Sequence, residues 1–316
     1  MKILDTRKTF KPFVYEWAID YYKKQAFLMF WNPDEVSFKT DIDHFSRLDN
    51  PEKEFIKKIF TFFVQSDHDI GAKYVDAYLP RFKHSELRMM LLSFAHMESN
   101  HAQAYAKLID SLGFTDYEGF LEYPEMVEKH SYLEKSVGVS TDIPNLMRDI
   151  AITSGFGEGL QLFGSFIMLL SFVERGLLPG MGDIVSWSLR DEQTHVEGLA
   201  KIFHTLKSDY PEHWTDDTKR SIYQACRDMV ELEDRFISLV YSDDLVLPNL
   251  PKEDLHKYIR FLADYRLNQL GLKPNYYVTE NPIKWLSKFV GETLEDLFNN
   301  TGSNYTRNSQ DWEDIF

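Results

Sequence analysis

An all-α fold follows from three features of this 316-residue chain. Apolar residues recur at helical spacing, and alternating strand patterns are rare. Glycine (15) and proline (12) are sparse, and no flexible linker interrupts the chain before its end. Hydrophobic residues make up 43% of the sequence, enough for a large core without covalent staples. Length alone would permit two domains. The unbroken helical pattern instead predicts one domain over 1–290, followed by a mobile tail over 291–316.

The elements follow in order. A first helix is expected over 12–31, then a loop, NPDEVSFKTDIDHF. Asn50-Pro51 reads as a helix start, with a capping residue, proline in the first turn, and Glu52 and Glu54 at the positive end. That helix can run to Tyr78, where Pro80 stops it. Ser85 and Glu86 open a long helix that Gly113 closes. Shorter helices fill 117–136, and a long one covers 143–175, ahead of Pro179-Gly180. Further helices are expected over 182–206, 216–241 and 252–271, and a short one near 281–290. The closing stretch, NNTGSNYTRNSQDWEDIF, is polar and lacks an apolar stripe.

Composition narrows the function. A net charge of -15, with no basic stripe, argues against nucleic-acid binding and anionic membranes. The single cysteine, Cys226, rules out an internal disulfide framework and thiolate zinc sites, and fits a reducing cytoplasm. The N-terminus has no signal-peptide pattern. The longest apolar run, 163–173, is shorter than the ~18–20 residues that span a bilayer and reads as a core helix.

Two segments share a pattern. Glu98-Ser-Asn-His101 and Glu192-Gln-Thr-His195 each lie in a long amphipathic helix. Residues three apart project the same way, so each pair aims a carboxylate and an imidazole at one point. One such pair is common by chance; two copies match the construction of dimetal four-helix bundles, which add one carboxylate from each of two further helices. Glu158 is the candidate from 143–175, because its neighbours in ITSGFGEGLQLFGSF are almost all apolar and a lone buried charge there is costly. Gly155, Gly157 and Gly159 predict a close approach or a helix distortion beside it. The helix over 50–78 offers Asp67 or Asp69, about 200° apart on the helix, so only one faces inward. Asp67 continues the Ile56, Ile59, Phe60, Phe63, Val64 stripe and is the better candidate. Carboxylate-rich ligation with two histidines suits iron or manganese.

In order and spacing, Asp67, Glu98-x-x-His101, Glu158 and Glu192-x-x-His195 resemble the ligand set of class I ribonucleotide reductase small subunits. The resemblance covers roughly 1–290. It implies a ferritin-like bundle, with extra helices around a four-helix core and two metal ions (Fe/Fe, Mn/Mn or mixed). It implies a radical-bearing Tyr105, one turn past His101, with Leu162 and Phe166 in its apolar shell. Trp31, in Trp-Asn-Pro-Asp-Glu-Val, is similar to the tryptophan that starts radical transfer, bridged through Asp191 to His101. Tyr305, in Gly-Ser-Asn-Tyr, looks like the tail relay tyrosine. Ser188 departs from the pattern, being polar where an aliphatic residue is usual. It leaves open whether Tyr105 or the metals hold the oxidising equivalent. The implied partners are a second copy of the chain and a large (alpha) subunit, with a flavodoxin-like activating protein left open. The implied activity is radical generation for reducing ribonucleotides, without an extra N-terminal regulatory domain. Three rival readings are a ligand-binding oxidase of the same fold, a ferritin-class iron store and a non-enzymatic scaffold.

Overall fold

The structure is a computed structural model that describes residues 1–115, 119–135 and 142–289. Among these residues it is all-helical, with no strand. Helices α1 (Glu16–Lys23), α2 (Lys39–Arg47), α3 (Asn50–Lys73), α4 (Ser85–Leu112) and α5 (Pro124–Lys135) are followed by α6 (Ile143–Ile150). A π-helical segment, Ala151–Leu162, joins α6 without a break to α7 (Phe163–Glu174). Helices α8 (Pro179–Asp209), α9 (Asp216–Val240) and α10 (Lys252–Gln269) complete the bundle.

The continuous helix Ile143–Glu174 is the axis of the core. It is long and apolar enough to cross a membrane by length and composition, yet 94% of its apolar window is buried inside the protein. Counting only 163–173 therefore underestimated the apolar length. Helices α8, α9 and α10 all pack against the π segment, and α3 packs along α4. The four elements expected to carry acids thus surround one interior.

The first helix is shorter than predicted. Val14 and Tyr15 donate their backbone N–H groups to Glu86 Oε1 of α4, at 2.8 and 3.1 Å, instead of entering a helix. After Lys23 the chain widens into a π turn, Lys24–Leu28, and Trp31 lies beyond it. The stretch read as a loop contains α2. Its Asp41 is fully buried and accepts hydrogen bonds from the N–H groups of Gly180 (3.0 Å) and Met181 (2.7 Å). That contact caps α8 from a distant element, which also explains why α8 begins at Pro179 rather than near 182. The cap of α3 is Asp49, whose side chain accepts from Glu52 N–H at 2.9 Å, rather than Asn50. Gly113 closes α4 with φ of +80°, as its position predicts. The glycine-flanked distortion beside Glu158 is the π segment itself.

Candidate metal centre

Six side chains from four helical elements meet in the interior. Asp67 comes from α3, Glu98 and His101 from α4, Glu158 from the π segment, and Glu192 and His195 from α8. Each is at most 2% exposed. Their donor atoms form two groups sharing Glu98: Asp67, Glu98 and His101, and Glu98, Glu158, Glu192 and His195. Within each group these atoms lie within 4.8 Å of one another.

His195 Nδ1 lies 2.8 Å from Glu98 Oε1, 3.3 Å from Glu192 Oε2 and 3.8 Å from Glu158 Oε1. His101 Nδ1 lies 3.1 Å from Glu192 Oε1 and 3.6 Å from Glu98 Oε2. The opposite ring nitrogen of His101, Nε2, faces Asp191 Oδ2 at 3.1 Å. A proton on Nε2 donated to Asp191 leaves Nδ1 as a lone pair aimed into the centre.

Four carboxylates in one dry site oppose each other's ionisation. Burial, and then the charge of Glu98, pushes Asp67 well above the usual carboxylate range. Burial, and then Glu192, does the same to Glu158. Burial would also raise Glu98, but the adjacent His101 and His195 imidazoles outweigh it and hold Glu98 at about 2. Burial opposes charging of His195, while Glu192 and Glu98 carry it up to about 10. Both oxygens of Glu98 and of Glu192, Glu158 Oε2, Asp67 Oδ2 and both Nδ1 atoms lack hydrogen-bond partners. Buried polar atoms are costly when left so, and divalent ions bound by oxygen and imidazole would satisfy them. The residues present therefore fit a dimetal centre.

Tyr105 is fully buried beside this site. Its ring stacks on Phe63 (5.3 Å between centroids, 17°) and lies 5.8 Å from Phe60 and 6.4 Å from His101. Phe166 packs on Phe63 at 5.1 Å, and Leu162 is buried. Burial, and then Asp67, pushes the phenol well above its ordinary range. The Ser188 hydroxyl works slightly against this, without closing a hydrogen bond of normal geometry.

Trp31 donates from Nε1 to Asp191 Oδ2 at 2.7 Å, and its ring lies nearly parallel to His101 at 5.9 Å. Asn100 Nδ2 donates to the Trp31 carbonyl at 2.9 Å, and Arg190 donates to the Met29 carbonyl at 2.6 Å. These bonds fix the chain entering and leaving Trp31. Tyr305 lies outside the described residues.

A family model described as ribonucleotide reductase, small chain, matches residues 7–282. The chain belongs to that family. A probable ribonucleoside-diphosphate reductase small subunit of Invertebrate iridescent virus 3 is 34% identical, over 99% of this chain and 88% of that one. The ribonucleotide reductase R2 subunit from Clostridium botulinum has the same fold, with a TM-score of 0.84 and 23% identity over 92% of this chain and 94% of that one. The dimanganese(II)-NrdF of Streptococcus sanguinis superposes with a TM-score of 0.78 and 18% identity, over 88% and 96% of the two chains.

Several residues around this small-chain site escaped sequence reasoning. Tyr74 donates to Glu158 Oε1 at 2.6 Å; it sits two helical turns after Asp67, a spacing that could have revealed it. Trp187 packs on Trp31 at 5.1 Å, and Phe94 lies 4.4 Å from His195. Lys73 pairs with Asp149 at 3.3 Å, almost fully buried, and nothing in the local sequence signals that pairing.

Proposed function

We propose that this chain is the radical-generating small subunit of a class I ribonucleoside-diphosphate reductase, acting with a large subunit. Family membership supports the activity, and one observation carries the residue assignment: a buried cluster of four carboxylates and two imidazoles is hydrogen-bonded through Asp191 to Trp31. Asp67, Glu98 and His101 would hold one ion, and Glu98, Glu158, Glu192 and His195 the other. Iron, manganese or a mixed pair suits these donors, and the dimanganese relative supports manganese among them. When bound, such ions supply the one-electron oxidising power that amino-acid side chains lack.

The chain's own residues supply the rest. Phe60, Phe63 and Phe94 line the surroundings of the site and exclude water. Tyr105 remains a phenol at accessible pH, so loss of an electron from it must be accompanied by loss of its proton. Asp191 orients His101 and Trp31 together, and the route out of the site runs through His101, Asp191 and Trp31. Tyr305, in the segment 291–316, would continue it to the large subunit, with that segment docking there. A ligand-binding oxidase, the rival reading, would need neither Trp31 nor this bridge, and the family match does not support it.

The functional unit is a homodimer in the cytoplasm. Exposed apolar side chains at Phe27 (67%), Leu28 (79%), Phe30 (51%) and Leu92 (49%) lie on α4 and the segment following α1, and suit burial against a second copy. A monomer at micromolar concentration in sedimentation would count against this. Ribonucleotide reduction with a matching large subunit, together with metal analysis and electron paramagnetic resonance, tests the whole assignment. Absence of turnover in fully metal-loaded protein would reject it.

A further inference from the structure

The π segment has a backbone consequence on which Glu158 depends. Within it each N–H bonds to the carbonyl five residues back, whereas in α7 the partner is four back. At the end of the segment the pattern changes, and Phe163 N–H bonds to the Leu160 carbonyl. The carbonyl of Gly159, next to Glu158, is reached by a side chain of another helix. A buried carbonyl with no donor is costly.

Arg266 of α10 meets it. Arg266 is fully buried, and its Nε donates to the Gly159 carbonyl at 2.8 Å. Its Nη1 donates to Gln193 Oε1 at 3.0 Å and to Gln269 Oε1 at 2.8 Å. Gln193 follows Glu192 on α8. The guanidinium is held over the rings of Phe163 (4.9 Å) and Tyr265 (5.3 Å). Gly159 is required for the approach, since a Cβ there would sit 2.5 Å from Arg266 Nε.

We propose that Arg266 is a positioning residue for Glu158 and Glu192: one planar guanidinium ties the Gly159 carbonyl of the π segment to the ligand-bearing turn of α8. The two carboxylates are thereby held at the spacing of the second ion site. A lysine cannot do both, because its ammonium is a point donor on a flexible stem. This inference rests on the metal-centre reading above.

The test is anaerobic Mn(II) titration of the full-length protein, with free ion counted by electron paramagnetic resonance. Occupancy of the two positions is then read by anomalous diffraction. Wild type should take two equivalents. In Arg266→Met, the site of Glu98, Glu158, Glu192 and His195 should weaken by about 10–100-fold, the usual cost of losing a group that orients a ligand. The site of Asp67, Glu98 and His101 should keep its affinity. Gly159→Ala should produce the same one-sided loss by displacing Arg266, and Arg266→Lys should fall between wild type and Arg266→Met. Unchanged binding in all three variants would overturn the inference, as would equal weakening of both sites with a lowered melting temperature, the mark of a purely structural role. If Arg266→Met does not fold, the other two decide by the same criteria. Wild type that fails to take two equivalents would instead remove the metal-centre reading itself.

Discussion

A single oxygen of Asp191, Oδ2, accepts from both Trp31 Nε1 and His101 Nε2. Trp31→Phe removes one of those donors and the indole together, while the phenyl ring keeps much of the packing. It should fold and load metal but lose turnover, and normal turnover in a metal-replete variant would reject the route through Asp191. Tyr105→Phe removes a buried hydroxyl that makes no normal hydrogen bond, so stability should fall by less than ~1 kcal/mol. If Tyr105 carries the radical, this variant loses both the tyrosyl signal and turnover; if the metals hold the oxidising equivalent, turnover survives. With His195 raised to about 10, the metal-free site holds a proton there at neutral pH, and the upward shifts of Asp67 and Glu158 act in the same direction. Bound metal must displace that proton, so apparent affinity should rise with pH, continuing towards about 10, where His195 titrates. Calorimetry in buffers of different ionisation enthalpy measures the released protons, and a pH-independent affinity would contradict this. At this scale the sequence was informative wherever helical spacing chose the face. Asp67 follows the apolar stripe inward, whereas Asp69 bonds Gln65 and His130 at the margin. Tyr74 lies on the same face two turns past Asp67, whereas Trp187 has no motif of its own and emerges only from its packing on Trp31.

Helix ends were legible where the cap is local and illegible where it is remote. Gly113 and the Asp49–Glu52 bond are decided within four residues, even though Asn50 had seemed the cap. Asp41 caps α8 from 139 residues away, and no local pattern announces that. The same holds for the pair joining α5 to α9. Lys129 Nζ lies 2.6 Å from Glu233 Oε2, both side chains fully buried, and the ammonium sits 4.1 and 4.0 Å from the centroids of Phe62 and Phe236. Burial lowers the lysine pKa and raises that of the glutamate, while each partner opposes the other's shift. Glu233→Ala would strand the lysine and should destabilise the protein by about 3–5 kcal/mol. Urea denaturation measures this, and a loss below ~1 kcal/mol would show that the pair is dispensable.

For the molecule as a whole, the class of fold and the four helices bearing acids could be read from periodicity, because burying one face of each long helix leaves few other arrangements. What could not be read was how the helices interlock, since α2 and the π turn after α1 depend on contacts between distant segments. The assembly adds a prediction at this scale. Deleting residues from Asn300 onward should abolish turnover with the large subunit while leaving metal loading intact. Loss of metal binding in that truncation would place the segment in the structural framework instead.

The π segment also sets a rule for insertions and deletions. Each residue added to or removed from an α-helix turns everything beyond it by about 100°. The interior of a helix therefore tolerates changes of length poorly. Ala151–Leu162 already carries more residues per turn than an α-helix, so losing one residue ahead of Glu158 has an accessible outcome: the segment reverts towards an ordinary α-helix. The chain would still fold around its apolar axis, but Glu158 would leave the face it shares with Glu192. Spacing along this helix, more than side-chain chemistry, is then what evolutionary change must preserve for the centre to stay intact.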